Sequence, residues 1–235
     1  HQHLHVRRQR QMCIRDSFYY KYGGGPVLDM GPYYFTALVN LLGPAKSVYS
    51  QSRTVYNKRI IGSGSRKDEE VIVDIPTTLV SQIEFDNGAL IDSFFSFDTW
   101  KHNKNHIELY GDKGSINIPD PNTFGGSINI CTSKNGEWET IATDKNNLGK
   151  INIHNSKKTN ENPGIANYRG IGVSEMVDSI NNKRLNRCSG ELSLHVLDIL
   201  DTIIKSSEND KKLQLRSSIN EVSYFGENEI SKLLN

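Results

Sequence analysis

The stretch TTLVSQIEFDNGALIDSFFSFD, residues 77–98, decides what kind of fold this chain builds. Two alternating runs flank Asn87-Gly88, a dipeptide suited to the two-residue type I′ hairpin turn because both of its central residues need positive φ. Successive side chains of a strand point to opposite faces. Leu79, Ser81, Ile83 and Phe85 therefore share one face, while Gln82, Glu84 and Asp86 take the other. Ile91, Phe95 and Phe97 repeat the apolar face on the returning strand. One face buried and one solvated is the pattern of an antiparallel sheet covered on one side.

Further along the chain, Asn135-Gly136 predicts a second hairpin, between 127–133 and 137–143. Strands are also expected at 106–110 and 115–118, joined by the Gly111-Asp112-Lys113-Gly114 turn, for a mostly antiparallel sheet of six or more strands. Residues 48–56 alternate loosely, and 60–70 form a Gly, Ser and charge-rich loop before strands resume near Val71. Residues 144–167, rich in Asn and Lys with little periodicity, read as a long loop without a functional role.

Helical periods lie on either side of the strands. After Gly23-Gly24-Gly25, Pro26 suits a first helical turn, and Val27, Met30, Tyr34, Leu38 and Leu41 recur at three- and four-residue spacing until Gly43-Pro44. Later, Val173, Met176, Val177 and Ile180 form one apolar stripe. Ser189 can cap a following helix with Glu191 near its positive end, and that helix is apolar over most of its circumference from Leu192 to Ile204, so it should be largely covered. Helix, hairpins, then helices give an α+β class: an open, mostly antiparallel sheet with helices packed on one face.

The 235 residues are long enough to bury a sizeable core. With 36% hydrophobic residues, 23% charged and a mean hydropathy of −0.54, no run approaches the ~18 apolar residues of a membrane span. A formal charge of +1 provides no field for nucleic acid, so neither a membrane nor a nucleic-acid partner is expected. Three dispersed cysteines, Cys13, Cys131 and Cys188, argue against a disulfide framework and for a reducing cytoplasm. No metal site is expected: His102 and His106 are four apart but fall in a segment that reads as strand.

The first seventeen residues, HQHLHVRRQRQMCIRDS, stand apart from the rest. Four of the 28 basic and one of the 27 acidic residues lie there, which leaves 24 against 26 and a charge of −2 for the remainder. The stretch lacks an apolar signal core, and QMCIRDS is similar to translated sequencing-adaptor sequence. Residues 1–17 are therefore taken as a non-native or disordered tail, a basic native arm being the alternative, and 18–235 as the domain.

Chemistry concentrates on the first helix. Asp29 and Tyr33 lie four apart and, with Thr36 and Asn40, form a polar stripe behind a glycine run that lets a ligand approach the backbone. A carboxylate and a phenol at this spacing can grip one hydroxyl-bearing carbon; the same stripe can equally be a solvated helix face. Gly31 inside the helix costs about 1 kcal/mol relative to Ala and asks for a packing or functional reason. Trp100 and His102, just beyond the strand of Phe97, can form a sugar-stacking wall, and Arg169 can clamp a hydroxyl or carboxylate. For each, an ordinary surface role is the alternative. His195, on a nearly all-apolar helix, reads as a hydrogen-bonded core histidine.

The string from Gly23 to Tyr34, with Leu41-Leu42-Gly43-Pro44, resembles the start of the C-terminal domain of the glucose–fructose oxidoreductase/inositol dehydrogenase (Gfo/Idh/MocA) family. Ser96-Phe97-Asp98-Thr99-Trp100, the segment from Ile107 to Ser115, Tyr168-Arg169-Gly170 and the segment from Gly190 to Leu197 are similar to that family in the same order. The resemblance implies a substrate-binding and oligomerising domain, with a homo-oligomer built through the sheet. Its usual companion is an N-terminal Rossmann domain holding NAD or NADP, and hydride passes between nicotinamide and a sugar or cyclitol. It assigns catalysis to Asp29 and a His often four residues on, a place that Tyr33 holds here. No G-x-G-x-x-G after a strand and no Glu-Lys-Pro occurs, so the Rossmann domain is absent and the chain should be inactive alone, binding neither dinucleotide tightly. The competing class is a non-catalytic sugar-binding or dimerisation module. A hydrolase lacks any nucleophile elbow or paired-carboxylate motif.

Overall fold

The computed structural model describes residues 3–6, 17–62, 64–132, 136–153, 164–220 and 224–234. Its main sheet is built on the hairpin of β5 (Thr78–Phe85) and β6 (Leu90–Ser96), which pair antiparallel with Leu79 opposite Phe95 and Ile83 opposite Ile91. Gly88 adopts φ 86° at the turn, a value that the missing Cβ makes cheap. Strand β2 (Ala45–Arg53) pairs antiparallel with β5, and the short β11 (Leu213–Gln214) with β2. The backbone of β1 (His3–Val6) runs parallel to β6 at the opposite edge. The sheet order is thus β1-β6-β5-β2-β11.

The expected single sheet is divided. Strands β7 (Ile107–Gly111), β8 (Gly114–Ile118), β9 (Ser127–Cys131) and β10 (Glu139–Ala142) form a separate antiparallel sheet. Strands β3 (Lys58–Ile60) and β4 (Glu70–Ile72) form a two-stranded one. The division arises because the chain leaves strand geometry from Phe97 to His106, so β7 does not continue the ladder of β6, whose free edge β1 takes. His102 accordingly lies on a connecting segment and not in a strand. The β9–β10 pairing matches the second predicted hairpin, while its turn residue Asn135 lies outside the described residues.

Helices α1 (Pro26–Leu42) and α3 (Gly190–Asn209) cover one face of the main sheet. Val27, Tyr34, Phe35 and Leu38 from α1 and Leu192, Val196, Ile199, Leu200 and Ile203 from α3 pack on Val48, Leu79, Ile83, Phe85, Ile91 and Phe95 in one core. Burying side chains of this size contributes about 1.5–3 kcal/mol each. Gly31 sits where the two helices cross: a Cβ there would come within 2.4 Å of Leu200 Cδ2, so its reason is packing. Ser189 caps α3 by accepting the Leu192 N–H at 3.2 Å.

Two helical expectations change. Leu194 and Leu197 on α3, and Leu41 at the end of α1, remain exposed because the sheet reaches only one side of each helix. In α2 (Ile171–Asn181) the pattern is inverted: Val173, Met176, Val177 and Ile180 are exposed, and Glu175 and Ser179 are buried. Charge pairing turns this helix. Arg184 bonds both Glu175 oxygens at 2.6–2.7 Å, and Arg187 donates to the same carboxylate at 3.0 Å and grips Glu229 of α4 (Glu227–Leu234) at 2.8–2.9 Å. Among the described residues no helix is long and apolar enough to cross a membrane.

Candidate functional site

Helix α1 is held at its start by a turn of chain folded back on itself. Residues Ser17–Tyr20 form one 3-10 turn, and Gly25 N–H donates to the Tyr19 carbonyl at 2.8 Å. The glycine run serves this fold-back more than a ligand. A Cβ on Gly24 would lie 2.6 and 2.7 Å from the Phe18 and Tyr19 carbonyl oxygens, and one on Gly25 would meet Ile75 at 3.4 Å. Asp29 follows in the first helical turn, where a carboxylate complements the helix dipole.

The helix divides its two neighbouring tyrosines. Tyr33 is 41% exposed, whereas Tyr34 is fully buried, its ring edge-on to Phe95. The Tyr34 hydroxyl donates to Asp120 Oδ1 at 2.9 Å and lies 3.2 Å from His106 Nδ1. Burial, reinforced by the Asp120 carboxylate, pushes the Tyr34 phenol well above its ordinary range, so it serves as a fixed hydrogen-bond donor. Asp120 Oδ1 also accepts the Asn122 N–H at 3.0 Å, and its carbonyl accepts from Thr123. Tyr34 thus ties α1 to the 119–126 turn. At the far end of the polar stripe Asn40 is turned inward, donating to the Thr36 carbonyl at 2.6 Å and accepting the Tyr224 hydroxyl on its own carbonyl.

A second cluster lies beside the start of α1. Arg59 and Asp98 form a part-buried ion pair, with Thr78 donating to Asp98 at 2.8 Å, and the Arg59 guanidinium lies over Tyr56 at 4.8 Å and Tyr20 at 5.9 Å. Burial pushes the Tyr20 phenol up to about 12; the Arg59 cation opposes this, and the nearby Asp98 and Asp29 carboxylates add to it. The pair fixes the point where the chain leaves β6 towards Trp100 and His102. Trp100 is exposed and His102 half-buried on that segment.

Arg169 stands elsewhere, at the rim of a cavity of about 540 Å³ between the 122–127 turn, residues 142–144, and the segment around Asn167. Its guanidinium lies 3.4 Å from the Asn122 carbonyl. None of Asp29, Tyr33, Trp100 and His102 lines this cavity. The five predicted residues therefore divide between α1, the segment beyond β6, and the cavity. The 144–167 loop, expected to carry no role, supplies part of the wall, with residues 154–163 outside the described ones. Sequence reasoning missed the role of Tyr34, which reads as one more apolar-stripe residue, and also Asp120 and Arg59, which carry no local signal; Asp98 stood only within a family-like segment and His106 only as a neighbour of His102.

The chain matches the profile of the GFO/IDH/MocA C-terminal domain over residues 1–117. Among solved structures it is similar to an NAD binding oxidoreductase from Klebsiella pneumoniae, at 17% identity and a TM-score of 0.66 over 87% of this chain and 55% of that one. A levoglucosan dehydrogenase in complex with NADH and L-sorbose matches at 17% identity and a TM-score of 0.65, over 85% of this chain and 53% of that one. An aldose-aldose oxidoreductase from Caulobacter crescentus, complexed with glycerol, matches at 16% identity and a TM-score of 0.58, over 91% and 53%. The chain spans a little over half the length of these proteins. A search of curated proteins found no match.

Proposed function

Because residues 1–117 match the GFO/IDH/MocA C-terminal domain, we propose that the chain forms the substrate side of an NAD(P)-dependent oxidoreductase acting on a hydroxyl of a sugar, sugar derivative or cyclitol. The observation that carries this reading is the division of α1: Tyr34 is locked into the core, while Tyr33 is exposed and Asp29, one helical turn before it, is half-buried. A carboxylate held on a rigid helix can accept the hydrogen bond of a substrate hydroxyl and take its proton, and the adjacent phenol can bond the same group. Trp100 and His102, steered by the Arg59–Asp98 pair, supply an aromatic wall beyond β6.

The described residues do not fit the phosphates of a dinucleotide. Main-sheet neighbours other than β1 pair antiparallel, and the glycine run before α1 is filled by its own chain, so no Gly-rich strand–turn–helix cradle forms. In this reading the cofactor-binding part corresponds to the portion of the relatives that this chain does not span. The chain alone is then inactive. The outer face of the hairpin, with exposed Val80 and Leu90, supports self-association through the sheet, and a cytoplasmic location accords with dispersed free cysteines.

The test is kinetic. In the active enzyme carrying this domain, Asp29→Ala should lower kcat on the order of 10²–10⁴-fold with an unchanged thermal midpoint. Tyr33→Phe, which removes only the hydroxyl, separates a bonding phenol from a ring that shapes the pocket. Normal turnover in Asp29→Ala would end the reading.

A further inference from the structure

We propose that the cavity beside Arg169 is a second ligand site, one that takes a small polyol bearing a carboxylate. It does not depend on the reading of α1, because neither Asp29 nor Tyr33 lines it.

Its size falls within the ~300–1,000 Å³ of small-molecule sites, with about 540 Å³ of space. Two of its sides are tied by hydrogen bonds within the chain. On one side the 122–127 turn is tied to the core through Asp120 and the buried Tyr34 hydroxyl. On the other, Asn152 holds Asn167 by two 2.7 Å bonds, from its amide to the Asn167 carbonyl and from the Asn167 N–H to its Oδ1. The Phe124 ring is braced edge-on by Tyr168 at a centroid distance of 5.8 Å, and the Tyr168 hydroxyl is anchored on the Lys150 carbonyl at 2.8 Å. Preorganised walls lower the entropy cost of binding.

The charge distribution selects the chemistry. Among the described lining residues Arg169 is the cation. A carboxylate suits the fork of the Arg169 guanidinium. Asp144 is the acid among the described lining residues. It repels a bare anion but accepts hydroxyl donors, as do the Asn122 and Asn167 side chains. A ligand satisfies both Arg169 and Asp144 only if it brings a carboxylate and hydroxyls at once, with Phe124 as the apolar wall for its carbon chain.

The test titrates D-gluconate into the full chain by calorimetry, with sorbitol, acetate and inorganic phosphate as comparators. Gluconate should bind at millimolar concentration, on the order of tenfold more tightly than any of the three. Arg169→Gln should weaken gluconate on the order of tenfold without moving the thermal midpoint, and Ala166→Leu, which fills the cavity, should abolish binding. Asp29→Asn should leave gluconate affinity unchanged. The proposal is overturned if sorbitol or phosphate binds as well as gluconate, if gluconate does not bind, or if Arg169→Gln binds normally. It is also overturned if Asp29→Asn weakens binding as much as Arg169→Gln, which would place gluconate at α1.

Discussion

His195 is a fully buried imidazole whose two nitrogens both have work. Its Nε2 accepts the Ala45 N–H at 3.0 Å, which assigns the proton to Nδ1, from which it can donate to Ser217 Oγ at 3.0 Å; Ser217 in turn donates to Asp198 at 2.9 Å. Ala45 lies at the bulge where β2 loses register with β5, so the histidine satisfies an N–H that the ladder leaves over. Burial holds the imidazole below its ordinary value, with the Asp198 carboxylate opposing in part. A folded pKa below the unfolded ~6.5 means that the unfolded chain binds the extra proton, so this stability is present above pH ~6.5 and is lost as pH falls through that value. The thermal midpoint should therefore drop between about pH 7 and pH 5, before carboxylates titrate. His195→Phe should cost about 1–3 kcal/mol at pH 8, because the Ala45 N–H loses its acceptor, and should flatten the dependence in that window. An equally steep slope in the variant would assign it to other groups.

At the scale of elements, α2 is the case where charge overrides amphipathicity. Eleven residues are too few for a stable isolated helix, and its apolar stripe faces outward, so its anchorage is the Glu175 carboxylate between Arg184 and Arg187. The bonds from Arg184, with help from Arg187, hold that carboxyl down near about 2 against the opposing effect of burial. Its contribution is present above the ordinary carboxylate value near 4.5 and is lost as pH falls from there towards about 2. Glu175→Ala leaves Arg184 with Asp178 and Arg187 with Glu229, so the loss should stay near ~2 kcal/mol, short of that for a fully orphaned buried charge. Hydrogen exchange should show α2 amides losing protection while α3 keeps its own. Unchanged protection of α2 would show that α4 packing alone holds the helix.

For the whole molecule, two separate cores share one support. The larger lies between the main sheet and α1 with α3; the smaller gathers Tyr20, Ile61, Val71, Val73 and Ile75, with Phe97 packed on it. Phe97, read as a continuation of the Ile91 and Phe95 face, belongs to the smaller core because the chain has left the strand by then. Among the described residues the architecture forms no dinucleotide cradle. Calorimetric titration of NADH and of NADPH into the full chain should show no micromolar binding. Saturable micromolar binding of either would refute the division of labour proposed for it.

By itself the sequence determined what depends on each element's own period. Alternation around Asn87-Gly88 placed Leu79, Ile83 and Phe85 inside; the α1 spacing buried Val27, Tyr34 and Leu38; Ser189 marked a helix start. These follow from backbone geometry that neighbouring residues dictate. It also placed Asp29 and Tyr33 on one helix face. Only the tertiary structure decided that Tyr34 is a polar tie as well as a core ring, because its partners His106 and Asp120 stand 72 and 86 positions away. The same holds for the orientation of α2, set by arginines beyond its end, and for the Arg59–Asp98 pair, which joins β3 to the segment that follows β6. Periodicity reports which side of its own element a residue occupies. What stands opposite that side is fixed by long-range packing, and it is there that charge finds its partner and a cavity its walls.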